Sequence, residues 1–388
     1  MNTHTLRIRA RRTTTATALA ALAPLALALS VSQTPAAQAT VTATYTWSAG
    51  AVVADNDRDW SNPDNWAGGV APAPGETVSL VFPRLDCTNE GSCFGTTNDI
   101  PGLKVSSLLV EAEEMGISGT GFVLQGPLTV RGDTSYYARL DLNIPIRTKG
   151  PASGSPGAGQ WSVSAGQIFL ANVVRGSRVT ATLDPTSALR VYAGYVDVPG
   201  FQVARLVVRG GHDGLGFDLY DGSANGENGH LVKLKDTQFV WYSNTSTGPI
   251  RTTDASILLS AGGYDYSTPA VVNGDLTFDP ASDLTLQFYN RIPPLSPPVP
   301  GRDFPAIHAT GAVALNGLQA LVPDLIFCDA PTGTPMAFIT GASVTGQLTD
   351  PFGNPISDGA SFTYNDPDCG PVTARIDYTA TSVELTLS

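Results

Sequence analysis

The segment Asp184-Pro-Thr-Ser-Ala-Leu-Arg-Val191 recurs as Asp279-Pro-Ala-Ser-Asp-Leu-Thr-Leu286, ninety-five residues further along the chain. Both copies place an Asp-Pro turn signal directly before an alternating apolar strand. Turn-and-strand units that recur in this way are typical of stacked repeats. The repetition therefore favours a solenoid, in which each turn of chain packs on the turn before it.

Short strands of the same character fill the chain around these two segments. The 40 glycines and 29 prolines leave little room for long helices. The apolar and β-branched runs are Leu103 to Val110, Phe122 to Val130, Leu140 to Ile146, Gln167 to Val174, Val203 to Val208, Leu231 to Leu234 and Ile257 to Leu259. At roughly 20 to 25 residues per turn, residues 98–290 would supply about eight turns. Tandem β-sandwiches fit the strand pattern too and remain the alternative.

The first 39 residues have the pattern of an export signal. Four arginines precede an apolar run from Ala16 to Val31, and Ala37-Gln-Ala39 follows as a cleavage site. The run is short for a membrane span of about 20 residues, and no later segment is apolar enough to cross a bilayer. We therefore expect a secreted, extracellular protein with no membrane span.

The charge of the chain argues against nucleic acid as a partner. Removing the signal removes four arginines and no acidic residue, so the formal charge moves from -12 to -16. A negative net charge of this size repels phosphate backbones and anionic membrane surfaces. It is compatible with a divalent cation, but we expect no cofactor, and calcium is the one ion that the sequence leaves open.

Four cysteines follow the signal, an even number in an oxidising compartment. Their spacing predicts two disulfides. Cys87 and Cys93 would close a tight loop, and Cys328 and Cys369 would bridge a longer segment near the C-terminus. A metal site is disfavoured because the sequence contains no C-x-x-C pair.

Both ends of the chain resemble autotransporter-type passenger domains. At the C-terminus the resemblance is carried by Gly301 to Gly317 (GRDFPAIHATGAVALNG), Met336 to Ile339, Val344 to Leu348 and Ala374 to Leu387. At the N-terminus it is carried by Tyr45-Thr-Trp47, Asp59 to Trp66, Pro72 to Leu80 and Asn98 to Val110. The resemblance implies a right-handed parallel β-helix. Such passengers continue into a membrane barrel, and because the sequence up to Ser388 has no barrel-like segment, we do not expect self-transport.

The expected organisation has five parts. They are a signal peptide (1–39), an N-terminal Trp-rich cap (40–97), the β-helix body (98–290), a Pro-rich connection (291–301) and a C-terminal β cap (302–388). Trp47, Trp60 and Trp66 lie in the first cap. They could stack on sugar rings, but sealing the open end of the solenoid explains them more simply, since a terminal repeat must cover its apolar core.

Two acidic segments are the candidates for a metal or for catalysis. Asp55, Asp57 and Asp59 alternate as in half of a calcium loop, although Trp60 and Trp66 stand where an EF-hand needs Gly and Glu. The second segment, Gly210 to His230, contains the candidate catalytic residues Asp213, Asp218, Asp221 and His230. Asp218 also fits one copy of a calcium-binding nonapeptide, a motif that requires tandem copies.

No reaction follows from these residues. The sequence has no G-x-S-x-G, P-loop or H-E-x-x-H motif. We therefore expect a non-enzymatic extracellular protein, whose β-helix presents a surface to a polysaccharide or a cell-surface protein. The alternative is a polysaccharide lyase or glycoside hydrolase on the same fold, because two carboxylates at a suitable separation are what glycoside hydrolysis requires.

Overall fold

Short strands dominate the computed structural model, as the sequence pattern predicts. It describes residues 42–85, 95–149, 157–192, 199–211, 215–220, 222–226, 229–261, 268–288, 297–320, 324–325, 328, 330–366 and 369–388, which all belong to the unit Thr42–Ser388. Within these residues the only helices are α1 (Gly50–Asp55) and a one-turn 3-10 helix (Pro63–Asn65). No described helix is long and apolar enough to cross a bilayer.

The first eleven strands run from the N-terminal segment into the middle of the chain. They are β1 (Ala43–Thr46), β2 (Thr77–Phe82), β3 (Gly95–Asn98), β4 (Lys104–Val110), β5 (Met115–Gly119), β6 (Phe122–Leu124), β7 (Leu128–Arg131), β8 (Ala138–Leu142), β9 (Ile146–Thr148), β10 (Gln160–Ser164) and β11 (Gly166–Leu170).

The next eleven strands include the longest ones of the sheet. They are β12 (Val173–Leu183), β13 (Ala188–Val191), β14 (Gly200–Gly210), β15 (Phe217–Leu219), β16 (Gly222–Ala224), β17 (Val232–Tyr242), β18 (Thr245–Thr247), β19 (Ile250–Ala261), β20 (Ala270–Val272), β21 (Leu276–Thr277) and β22 (Asp283–Phe288).

The last nine strands complete the chain. They are β23 (Ile307–Ala309), β24 (Ala312–Ala314), β25 (Gln319–Ala320), β26 (Asp324–Leu325), β27 (Met336–Thr340), β28 (Ser343–Thr345), β29 (Ala360–Asp366), β30 (Gly370–Tyr378) and β31 (Ser382–Leu387).

Parallel pairing arranges most of these strands into three ladders. The first ladder contains β6, β9, the starts of β12 and β14, then β16, β18, β20, β23 and β27. The second contains β1, β2, β4, β7, β10, the ends of β12 and β14, the starts of β17 and β19, then β21, β24 and β28. The third contains β3, β5, β8, β11, β13, β15, the ends of β17 and β19, then β22, β25 and β26.

The chain visits the three ladders in a fixed cyclic order. For example, β7, β8 and β9 lie in the second, third and first ladders, and β10 returns to the second. In many strands, buried and partly exposed residues alternate, as in the patterns of β8 and β22. Each ladder therefore has one face toward the core and one face toward solvent.

The core consists of apolar side chains in register on successive strands. In the third ladder one buried column is formed by Leu140, Ile168, Leu189, Phe217, Phe239, Ile257 and Leu284. Within it the rings of Phe217 and Phe239 stack with centroids 5.2 Å apart. Such columns remove a continuous strip of apolar surface from water, which is the main source of stability in a stacked fold.

The two recurring sequence segments form equivalent corners. The hydroxyl groups of Ser187 and Ser282 donate to the carboxylates of Asp184 and Asp279, respectively. Each hydroxyl also accepts a backbone N–H from an earlier part of the chain, at 3.3 and 3.1 Å. Both corners lead into the third ladder, through β13 and β22. The repetition in the sequence therefore marks equivalent positions in the structure.

Regular pairing extends beyond the predicted body of residues 98–290. β27 pairs in parallel with β23, and β28 pairs in parallel with β24. Among the described residues, antiparallel ladders occur only between C-terminal strands, where β31 joins β27 and β30, and β30 joins β29. Most of the predicted Pro-rich connection lies outside the described residues.

One predicted disulfide is confirmed. Cys328 and Cys369 are bonded, with Cα atoms 5.3 Å apart, and they enclose a sequence separation of 41 residues. The bridge attaches the segment after β26 to the turn between β29 and β30. The predicted bond between Cys87 and Cys93 lies outside the described residues.

Candidate functional site

A groove of about 440 Å³ lies on the solvent-facing side of the third ladder. We name it the tyrosine groove. Its lining comes from β11, β13, β15, β17, β19 and β22 and from residues directly after them: Phe169, Arg190, Tyr192, Asp218, Tyr220, Gln238, Val240, Tyr242, Leu258 and Gln287. Because strands of a sheet lie about 4.8 Å apart, the groove spans several turns of the chain.

Three tyrosines form a column along this groove. Tyr192 and Tyr220 have ring centroids 5.2 Å apart, and those of Tyr220 and Tyr242 are 4.0 Å apart. Tyr192 is 46% exposed at one end of the column, whereas the other two rings are half-buried. Each tyrosine follows a buried residue at the end of its strand segment, so the in-register strands bring the rings together. The column presents phenol groups in a row.

A buried ion pair lies beside the tyrosines. The strand register makes Arg190 and Asp218 direct neighbours, and Arg190 Nε lies 2.9 Å from Asp218 Oδ2. The Arg190 guanidinium also lies 5.4 Å from the ring centroid of Phe169, and that of Arg139 lies 4.3 Å from it. Asp218 is only 9% exposed. Its Oδ1 atom is buried and has no hydrogen-bond partner among the described residues.

Burial raises the pKa of Asp218 to about 6, and the positive charge of Arg190 offsets only part of that increase. Desolvation disfavours the carboxylate because the charged form loses more hydration than the neutral acid. Asp218 therefore exchanges its proton close to neutral pH.

The raised pKa of Asp218 predicts a pH dependence of stability. Since the folded-state pKa lies above the usual value of 3.8, the unfolded chain loses this proton first as pH rises. The free energy of unfolding should therefore fall between about pH 4 and pH 6, by up to roughly 3 kcal/mol from this group. Asp218→Asn should remove that decrease. Urea denaturation of both proteins at pH 4, 5, 6 and 7 measures it.

Asp57→Asn is a control, because its effect on the pH dependence of stability should have the opposite sign. The pKa of Asp57 is lowered, first by the backbone N–H of Asp59 and then by the Asn62 side chain. Asp57→Asn should therefore remove stability that is gained as pH rises through the acidic range. If the free energy of unfolding changes with pH in the same way for Asp218→Asn and the unsubstituted protein, the assigned environment of Asp218 is wrong.

The other candidates of the 210–230 segment do not join Asp218 within the described part of the chain. His230 is exposed and precedes β17, where that strand enters the second ladder. Asp218 lies on β15 of the third ladder. Asp213 and Asp221 lie outside the described residues. No group of three or more His, Cys, Asp or Glu side chains placed to hold a metal occurs among the residues that are described.

The N-terminal carboxylates stabilise a turn. Asp57 accepts the backbone N–H of Asp59 at 3.0 Å and the side-chain amide of Asn62 at 2.8 Å. Burial raises the pKa of Asp59, with smaller contributions from Asp99 and Asp57. Asp55 is the last residue of α1. These contacts are those of an Asx turn, which organises the backbone without a bound ion.

The three N-terminal tryptophans pack together in the core. Trp47, Trp60 and Trp66 are each at most 2% exposed. The Trp66 ring centroid lies 5.1 Å from that of Trp47 and 6.1 Å from that of Trp60, and Trp66 Nε1 donates to the Trp60 carbonyl at 2.7 Å. No ring face is open to solvent. The three rings are therefore part of the apolar core and leave no surface for sugar stacking.

Comparisons with known proteins gave no relative of this chain. No protein-family model matches it, and neither a curated protein nor a solved structure does. The candidate site consequently depends on the geometry of the chain itself.

Proposed function

We propose that the protein is a secreted, non-enzymatic glycan-binding protein built on a right-handed parallel β-helix of the autotransporter-passenger type. The fixed order in which the chain visits three parallel ladders supports the winding. Tandem sandwiches would require antiparallel layers, and antiparallel ladders occur in the described residues only near the C-terminus. The N-terminal export pattern supports secretion.

The observation that carries this function is the tyrosine column next to the Arg190–Asp218 pair. A sugar ring presents apolar C–H groups on its faces and hydroxyl groups on its rim. Tyrosine matches both, because it combines an apolar ring with a phenol that donates and accepts. A carboxylate and a guanidinium add the charge-assisted hydrogen bonds that fix orientation. Binding sites commonly combine an apolar lining with a few polar groups in this way.

The shape of the groove favours a chain over a single sugar. Its lining residues lie on six strands, from Phe169 on β11 to Gln287 on β22. The tyrosines occupy three consecutive turns, so similar contacts recur along one direction. A linear polysaccharide offers a matching repeat. We therefore assign a polysaccharide chain to the groove.

Affinity electrophoresis against plant, algal and bacterial polysaccharides, with and without calcium, tests this function. At least one polysaccharide should retard the protein. Tyr220→Ala should weaken that retention about fivefold, since an aromatic contact contributes on the order of 1 kcal/mol. Phe352→Ala is the control, because Phe352 is an aromatic side chain that is 90% exposed outside the groove. Retention that is absent, or equally reduced by both substitutions, would contradict the proposal.

A second candidate function follows from one observation. A carboxyl group with a pKa near 6 can serve as a general acid or base at neutral pH, and Asp218 has that property. Glycoside hydrolysis requires a second carboxylate, however, and Asp218 is the only carboxylate in the described groove lining. Binding is therefore the better-supported function. Release of reducing ends or of unsaturated sugars from any polysaccharide, abolished by Asp218→Ala, would replace it with catalysis.

A further inference from the structure

Positive side chains gather on the second ladder, in a protein whose net charge is negative. Six of them, which we name the basic stripe, lie on β12, β14, β17 and β19: Arg178, Arg205, Arg209, Lys233, Lys235 and Arg251. The strand register makes three direct pairs of neighbours within this set, namely Arg178 with Arg205, Arg209 with Lys235, and Lys233 with Arg251. The stripe therefore crosses four strands without interruption.

Most cations of the stripe have no anionic partner among the described residues. Within the described part of the chain, only Lys235 has a carboxylate within 4 Å, and that contact, with Asp236, is 3.6 Å long. The Nε atoms of Arg178 and Arg205 are buried and have no hydrogen-bond partner among the described residues. Several arginines elsewhere in the described chain do have a carboxylate partner. Arg84 and Arg375, for example, lie within 2.7 Å of a carboxylate oxygen.

The cations of the stripe also affect one another. The pKa of Lys233 is lowered, chiefly by the charge of Arg205, then by burial and by the charges of Arg251 and Arg178. Like charges in such proximity cost free energy in the absence of a counter-charge. The chain has 34 acidic residues against 22 basic ones, yet five of the six cations of the stripe have no carboxylate within 4 Å among the described residues. An anionic ligand would relieve this repulsion.

We propose that the basic stripe binds a linear anionic polysaccharide, whose carboxylate or sulfate groups contact successive turns of the chain. Neighbouring strands are about 4.8 Å apart, so a cation recurs at short intervals along the stripe. A single flexible polyanion can follow one narrow stripe. A nucleic-acid duplex carries one negative charge per about 1.7 Å of its axis, and the net negative charge of the chain repels it. This site lies on a different ladder from the tyrosine groove and does not depend on it.

Electrophoresis of the full chain through gels containing polygalacturonate tests the proposal, with dextran as the neutral comparison. Lys233→Gln/Arg251→Gln should weaken retention by polygalacturonate about five- to tenfold, the loss expected for two charge contacts at a solvated surface. Its matched control is Lys104→Gln/Arg375→Gln, which removes the same net charge away from the stripe and should change retention less than twofold. Raising the salt concentration should weaken retention, with a smaller salt dependence in the stripe variant.

The outcomes separate the possible ligands. Retention by polygalacturonate that depends on the stripe and is displaced by dextran sulfate, but not by single-stranded DNA at equal charge, supports the proposal. Absent retention, or equal weakening in the two double variants, overturns it. Displacement by the DNA at lower concentration than by dextran sulfate also overturns it, because the stripe would then be a nucleic-acid site. If Tyr220→Ala does not change retention, the proposed function fails, but the outcomes for the basic stripe can still be read, because they use different variants.

Discussion

Trp60→Ala should lower the free energy of unfolding by about 3–5 kcal/mol, the range for removing a fully buried aromatic side chain. Trp60 is completely inaccessible and lies 6.1, 5.7 and 6.3 Å, between ring centroids, from Trp66, Phe82 and Phe122. Its removal leaves a cavity among these closely packed rings. Urea denaturation followed by tryptophan fluorescence and circular dichroism measures the change.

The milder Trp60→Phe variant keeps this test useful if the alanine variant does not fold. It should lose part of the stability, because a smaller ring fills only some of the space. Phe352→Ala controls for the general effect of removing an aromatic side chain and should change stability by less than about 0.5 kcal/mol. A loss below about 1 kcal/mol in Trp60→Ala would show that the cluster does not seal the core.

Gly210→Ala should lower the free energy of unfolding by at least about 3 kcal/mol. Gly210 has a φ of +75°, a conformation that costs an alanine roughly 1–2 kcal/mol. An added Cβ would also lie 2.0 Å from the carbonyl oxygen of Leu183 on the neighbouring strand. That oxygen belongs to a parallel ladder and can move only if the two strands separate. Urea denaturation measures this loss in the free energy of unfolding.

Gly75→Ala is a matched control for this effect. Gly75 has the same φ of +75°, but a Cβ there would meet no atom within 4 Å. It should therefore lose only the conformational cost, about 1 kcal/mol. The difference between the two variants isolates the close approach of adjacent strands. Equal losses at Gly75 and Gly210 would mean that β12 and β14 do not pack in the register described.

Local features of the sequence predicted much of the fold. The apolar and β-branched run Leu103 to Val110 forms β4, Lys104–Val110. The Asp-Pro-x-Ser segments at Asp184 and Asp279 mark equivalent corners because a short hydrogen-bonded motif needs no distant partner. The spacing of Cys328 and Cys369 sufficed for their pairing. In each case the information that predicts the structure lies in residues close together in sequence, or in the number and spacing of the cysteines.

The tyrosine groove could not be predicted in the same way. Tyr192, Tyr220 and Tyr242 each follow an apolar residue at a strand end, but their spacing in sequence is unequal because the intervening turns differ in length. The register of neighbouring strands decides which outward side chains align. An insertion in a corner changes the sequence spacing between aligned residues, so the spacing does not reveal the register. The pairing of Arg190 with Asp218 depends on the same register. Asp218 itself was a candidate only as a carboxylate in a glycine-rich segment.

Hydrogen exchange with and without the retained polysaccharide tests the central claim most directly, because it reports which strands the ligand protects. We expect slower exchange in peptides that cover residues 188–192, 217–220 and 238–242, and unchanged exchange at the tryptophan cluster around residues 60–66. Protection confined to other strands, or none in the presence of saturating polysaccharide, would contradict the assignment of the tyrosine groove as the glycan site.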